Sequence, residues 1–108
     1  MKTIYISGKM SGEHCFSFKN FFYWQRVWEE RGWEVVNPAE IDCVKMLKGW
    51  VYDDKQYREI LDEDKRLIRE ECDAIFMMNG WTTSEGANEE YAEAVNHNKE
   101  ILFEWGRS

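Results

Sequence analysis

The spacing of hydrophobic and polar positions changes several times along the chain, and each change marks an element. Thr3 to Ser7 alternates, with Ile4 and Ile6 on one side and Tyr5 on the other, and ends at Gly8. That is the period of a strand. From about His14 to Arg31 the apolar positions recur at helical spacing and stop at Gly32. Trp33 to Val36 reads as a second strand, closed by Asn37-Pro38. Residues 39–54 show no resolvable period. Gln56 to Glu71 forms a second long helix, and Cys72 to Met78 is an apolar strand interrupted only by Asp73. A loop over 79–86, a helix over 87–98 and a last strand from Glu100 to Trp105 complete the pattern.

Strands alternating with helices predict an α/β domain with a parallel sheet covered on both faces. Such sheets bind ligands outside the carboxyl ends of their strands. The loops at 8–12 and 79–86 both follow strands, so they are expected at one common edge.

The first helix adds an expectation about assembly. Phe18, Phe21, Phe22, Trp24 and Trp28 make one broad stripe, while Phe16, Tyr23 and Val27 fall on the opposite side. A helix that is apolar nearly all round is normally buried on two sides. A chain of 108 residues is one domain with a single modest core. It cannot cover both sides itself, so a homodimer or higher homo-oligomer is expected. The alternative is a monomer with scattered exposed aromatics.

Composition narrows the function classes. Hydrophobic residues make up 44% of the chain and there is one proline, which excludes a disordered chain. A formal charge of −7 argues against a long nucleic acid as partner but not against a single nucleotide. Cys15, Cys43 and Cys72 lack C-x-x-C spacing, and His14 and His97 are far apart, so neither a metal site nor a disulfide framework is expected. No leader or membrane-spanning run is read, so the expected location is cytoplasmic, away from membranes.

Several residues are candidates for chemistry. Asp64 interrupts the apolar stripe Tyr57, Ile60, Leu61, Leu67, Ile68. A carboxylate there is costly unless paired or functional; the bland reading places it at the exposed edge of the stripe. Glu90 lies between Ala87 and Ala94 on the face Ala87, Tyr91, Ala94, Val95, Asn98, where small neighbours leave room for a ligand. An ordinary first-turn glutamate favoured by the helix dipole is the alternative. Ser84 and Gly86 precede that helix and suit an anion, or else form a plain N-cap and turn. Gly8-Lys9-Met10-Ser11-Gly12 is bounded by glycines but matches neither the Walker A loop nor the dinucleotide fingerprint. Tyr5 is placed to hydrogen-bond a carboxylate, or is simply packed. Trp81 reads as a wall over a flat base or as an interface residue. Asp73 opens the third strand and is a candidate cap for the turn before it.

As a set, Tyr5-Ile6-Ser7-Gly8, Asp64, Cys72-Asp73-Ala74-Ile75, Gly80-Trp81 and Ser84-x-Gly86-Ala87-x-x-Glu90-x-x-x-Ala94 resemble the nucleoside 2-deoxyribosyltransferase superfamily. The likeness is to a branch of small proteins common in phage and bacterial genomes, and it covers nearly the whole chain. The resemblance implies a flavodoxin- or Rossmann-like three-layer sandwich with four or five parallel strands, assembled as an oligomer. It implies cleavage or transfer at the N-glycosidic bond of a nucleoside or nucleotide, without a cofactor or metal. Glu90 would attack C1′ as nucleophile, Tyr5 would orient it, and Asp64 would serve the leaving base. Gly8 would admit the ligand, and Asp73, Trp81 and Gly86 would line its site. Serine rather than aspartate at 84 favours a 5′-monophosphate, since an aspartate would repel the phosphate; Ser7, Lys9 and Ser11 would add donors. A nucleotide-binding module without catalysis, and an interaction protein with a vestigial pocket, are the competing readings.

Overall fold

The computed structural model describes residues 2–8, 16–40 and 54–104, with the side chains of 16–18 and 54–57 excepted. In order these form β1 (Thr3–Ser7), α1 (Phe16–Glu30), β2 (Glu34–Val36), α2 (Asp54–Glu71), β3 (Ala74–Met77), a 3-10 turn (Trp81–Thr83), α3 (Glu85–Asn96) and β4 (Glu100–Phe103). The expected elements are present, with ends shifted by a few residues. Lys9 and Ser11, and the unassigned stretch from 41 to 53, lie outside the described residues.

The four strands form one parallel sheet in the order β2-β1-β3-β4. This is the flavodoxin-like order, and its topological switch point lies between β1 and β3. Tyr5 stands opposite Val36 on one side and Ile75 on the other, and Ser7 stands opposite Met77. Helices cover both faces, which gives three layers. Ile4, Ile6, Ala74, Phe76 and Met78 face α1 and pack with Phe21 and Trp28. Tyr5, Ile75 and Met77 face the other way and pack with Ile68 of α2 and with Ala87 and Ala94 of α3. Burial on both faces explains why β3 reads as a continuous apolar run instead of an alternating one.

Two helices hand over to strands by the same device. Gly32 has φ +92°, its N–H donates to Glu29 O, and Trp33 N–H donates to Trp28 O at 3.1 Å. This is a Schellman turn, completed by the apolar contact it favours: the Trp28 and Trp33 rings meet edge-on at 5.8 Å. At the end of α3, Asn98 takes φ +57°, donates to Val95 O, and Lys99 N–H donates to Ala94 O at 2.9 Å. Asparagine is the non-glycine residue best suited to that backbone.

Two stripe assignments need correction. Phe22, expected in the buried stripe of α1, is 39% exposed. Phe21, Trp24 and Trp28 follow i, i+3, i+7 and carry the contact with the sheet; Phe22 is one position, or about 100°, round the helix from Phe21. Val95 and Asn98 were expected on the inner face of α3 but are exposed, because that face is narrower and consists of Gly86, Ala87, Glu90 and Ala94.

Candidate functional site

The site is built on the end of β1 and the first turns of α3. Strand alternation sends the side chains of Tyr5 and Ser7 to the face that α3 covers. Glu90 lies on the buried face of α3 between Ala87 and Ala94 and is only 5% exposed. Tyr5 OH donates to Glu90 Oε2 at 2.7 Å, and Ser7 Oγ donates to Glu90 Oε1 at 2.6 Å. Both carboxylate oxygens are therefore held by hydroxyls from one strand, two residues apart. A buried carboxylate persists only where donors replace the lost water, and these two bonds are of the charge-assisted kind. The clamp thus fixes the direction of the carboxylate.

Asp64 is also buried, at 7% exposure, on the face of α2 that carries Leu61 and Ile68. Ile68 packs in the same cluster as Tyr5 and Ala87. The apolar stripe thus carries Asp64 to the Glu90 side of the sheet, not to its own exposed edge.

Gly8 follows β1 and is buried. A Cβ there would lie 2.5 Å from Met78 Cε and 3.1 Å from Met78 Cβ. The glycine is thus explained by the close approach of two chain segments where β1 and β3 end. Gly86 is buried in the first turn of α3, and Ser84 is the N-cap, its Oγ accepting from Ala87 N–H at 3.2 Å. The cap uses the acceptor side of the hydroxyl, and its proton remains a donor. Ahead of it, Glu104 takes Asn79 N–H at Oε1 and the Asn79 side-chain amide at Oε2, pinning the start of the loop from below.

Three of the expected residues have partners within the protein. Ser7 was expected to offer a donor to a ligand; its hydroxyl is spent on Glu90. Trp81 was expected as a wall over a base. It stacks on Tyr91, with ring centroids 4.9 Å apart and planes 25° apart, and its ring lies 6.3 Å from that of Phe103. That engages one face of the indole in packing. Asp73 does not belong with the others. Its Oδ2 accepts from Thr3 N–H at 2.9 Å, at the amino end of the sheet, four residues along β1 from Ser7. It joins strand starts, as any short acceptor at a sheet edge can.

Sequence reasoning missed the role of Ser7, although its place two residues from Tyr5 on one strand face was visible. It also missed Glu104, whose pairing with Asn79 spans 25 residues and leaves no local trace. Cys72 is a poor rival nucleophile: burial pushes its thiol up to about 12, so it stays protonated. Among the described residues no group of three or more His, Cys, Asp or Glu is arranged to hold a metal ion. No helix of the described residues is long and apolar enough to cross a membrane.

Fold and site together define a class: a flavodoxin-like parallel α/β sandwich that buries a hydroxyl-clamped glutamate at its topological switch point. Within that class the chain belongs to the family described as a domain of unknown function, DUF4406, whose model matches residues 2–103. No curated protein matches the chain.

Proposed function

We propose that the protein cleaves or transfers at the N-glycosidic bond of a nucleoside or nucleoside 5′-monophosphate, with Glu90 as nucleophile. The observation that carries this reading is the clamp on Glu90. A nucleophilic carboxylate needs a fixed direction, and two strand hydroxyls supply it. Its place at the carboxyl edge between β1 and β3 is where sheets of this order bind ligands. The resemblance to the nucleoside 2-deoxyribosyltransferase superfamily, through Tyr5, Asp64, Ser84, Gly86 and Glu90, supplies the substrate class.

In this mechanism a Glu90 oxygen forms a bond to C1′ as the bond from C1′ to the base nitrogen breaks. Asp64, directly or through a water, delivers a proton to the departing base. Water or a second base then attacks C1′, giving its proton back to the Asp64 carboxylate; the ester to Glu90 breaks, and the free carboxylate returns to its two hydroxyl donors. The two displacements retain configuration, as in retaining glycosidases.

The test is incubation of the protein with ribo- and deoxynucleosides and their 5′-monophosphates, with chromatography for free base. Base release that disappears in a folded Glu90→Ala variant is the expected result. Full release by Glu90→Ala sinks the reading. No release, with ligand recovered intact from the protein, transfers the site to a nucleotide-binding module.

A further inference from the structure

The face of α1 turned away from the sheet lies apart from the site and from the proposed activity. Tyr23 is 60% exposed and Phe22 39%, two of the large hydrophobic side chains left outside the core. They do not stand alone. Lys19, Tyr23, Arg26 and Glu30 follow one another at spacings of four, three and four residues and are all exposed. That spacing draws a straight seam along a helix, here of one aromatic and three charged side chains. Phe22 borders the seam on one flank and the half-buried Val27 on the other. Lys19, Arg26 and Glu30 form no hydrogen bond or ion pair with any described residue. Elsewhere the described charges pair readily: Arg58, Lys65, Arg66 and Arg69 all do.

The order of charges along the seam selects the occupant. A cation stands at one end, an anion at the other, and an aromatic and a cation share the middle. Such a seam is complementary to itself when reversed. With a two-fold axis passing between Trp24 and Gln25, Lys19 of one copy meets Glu30 of the other, and Tyr23 meets Arg26. Each pairing occurs twice, as an isologous contact requires. The first is an ion pair and the second a cation over a ring. Phe22 and Val27 close over the flanks, which gives the exposed apolar surface a cover. We infer that α1 is an antiparallel self-association seam, and that its partner is a second copy of this chain. One helix pair is a small contact, at the low end of specific interfaces, so the dimer is a reversible one.

Sedimentation velocity of the full chain across a hundredfold concentration range tests this, with circular dichroism as the check on folding. The wild type is expected to pass from monomer to dimer within that range. Lys19→Glu and Glu30→Lys each set like charges opposite one another at two symmetric places, and each is expected to weaken the dimer about tenfold. The double variant Lys19→Glu/Glu30→Lys restores opposite charges and is expected to return to within about threefold of wild type. Tyr23→Ser is expected to leave a folded monomer. A wild type that remains monomeric throughout overturns the inference. So does a dimer that ignores both charge reversals, or whose double variant is no better than the singles.

Discussion

At the scale of the residue, the decisive group is a carboxylate made tolerable in a dry place. Glu90 accepts one hydroxyl at each oxygen and lies almost wholly out of water. Deleting either donor leaves a buried charged acceptor short of a partner, at a cost of about 1–3 kcal/mol. Ser7→Ala is therefore expected to lower unfolding stability by about that amount in urea titrations. It is also expected to slow base release at saturating substrate more than it raises KM, since it loosens the direction of the nucleophile, not the grip on the ligand. An unchanged stability in Ser7→Ala would show that the clamp does not hold the carboxylate. Ser84 tests the substrate. Ser84→Asp keeps an acceptor for Ala87 N–H, so the helix cap survives and the melting temperature is expected to hold. Its negative charge should depress release of base from 5′-monophosphates relative to nucleosides. Equal depression of both would argue that no phosphate binds at that end of α3.

At the scale of the element, the turns that end α1 and α3 set where β2 and β4 begin. Each uses a residue with positive φ, Gly32 and Asn98. Asn98→Gly is expected to leave stability unchanged or slightly raised, while Asn98→Ala should cost about 1 kcal/mol, because a Cβ without a local polar partner is strained there. Thermal melts of the two variants settle it; equal melting temperatures would mean that the turn relaxes. Gly8 is tied to a different constraint. Its missing Cβ lets β1 finish against Met78, and Gly8→Ala must swing the end of the Met78 side chain aside and open the contact with Met78 Cβ, at 3.1 Å. Overpacking of this kind costs typically about 1–3 kcal/mol, and any strain left in the strand end falls on the neighbouring Ser7 of the clamp. Loss of activity larger than the loss of stability is the expected signature.

At the scale of the whole molecule, the helix layer over Glu90 is stitched by charge. Arg58 on α2 forks onto Glu89 at 2.9 and 3.1 Å, Lys65 approaches the same carboxylate at 3.4 Å, and Arg69 meets Glu93 at 3.2 Å. The hydrogen bond from Arg58, then its charge, then Lys65, hold the Glu89 carboxyl below its ordinary value of 4.5. A lowered carboxylate pKa stabilises the fold above the unfolded value, and that contribution fades as pH falls through the lower folded one. Glu89→Gln is therefore expected to be less stable than wild type at neutral pH, with the gap closing below pH 4.5. Denaturant midpoints measured across that range decide it; a gap independent of pH would mean that the seam acts by packing alone. The effect is modest, since Arg58 is about half exposed and salt screens such pairs.

Much of this molecule could be read before any coordinates. The alternation of β1, the apolar run of β3 and the helical stripes each report a local repeat of backbone geometry, so the α/β class and the element order follow from them. Gly32 and the serine ahead of α3 are legible for the same reason, since turns and caps are satisfied by neighbours in the chain. Glu90 and Asp64 stood out because charge on an apolar stripe is locally improbable. What the pattern could not decide was which distant residues meet. That Tyr5 and Ser7 share one carboxylate depends on β1 lying beside β3, a pairing across 83 and 85 residues. Asp73 belongs by chain position with β3 and by motif with the site, yet the strand register carries it to the opposite edge of the sheet. Trp81 has the chemistry of a base-stacking ring, and only the structure shows that Tyr91 occupies one of its faces. Sequence by itself determined the elements and singled out the two carboxylates, because those are written in local periodicity and in the cost of placing charge on an apolar stripe. Only the tertiary structure decided the partners, because contacts across the sheet are selected by topology and register, which no local pattern encodes.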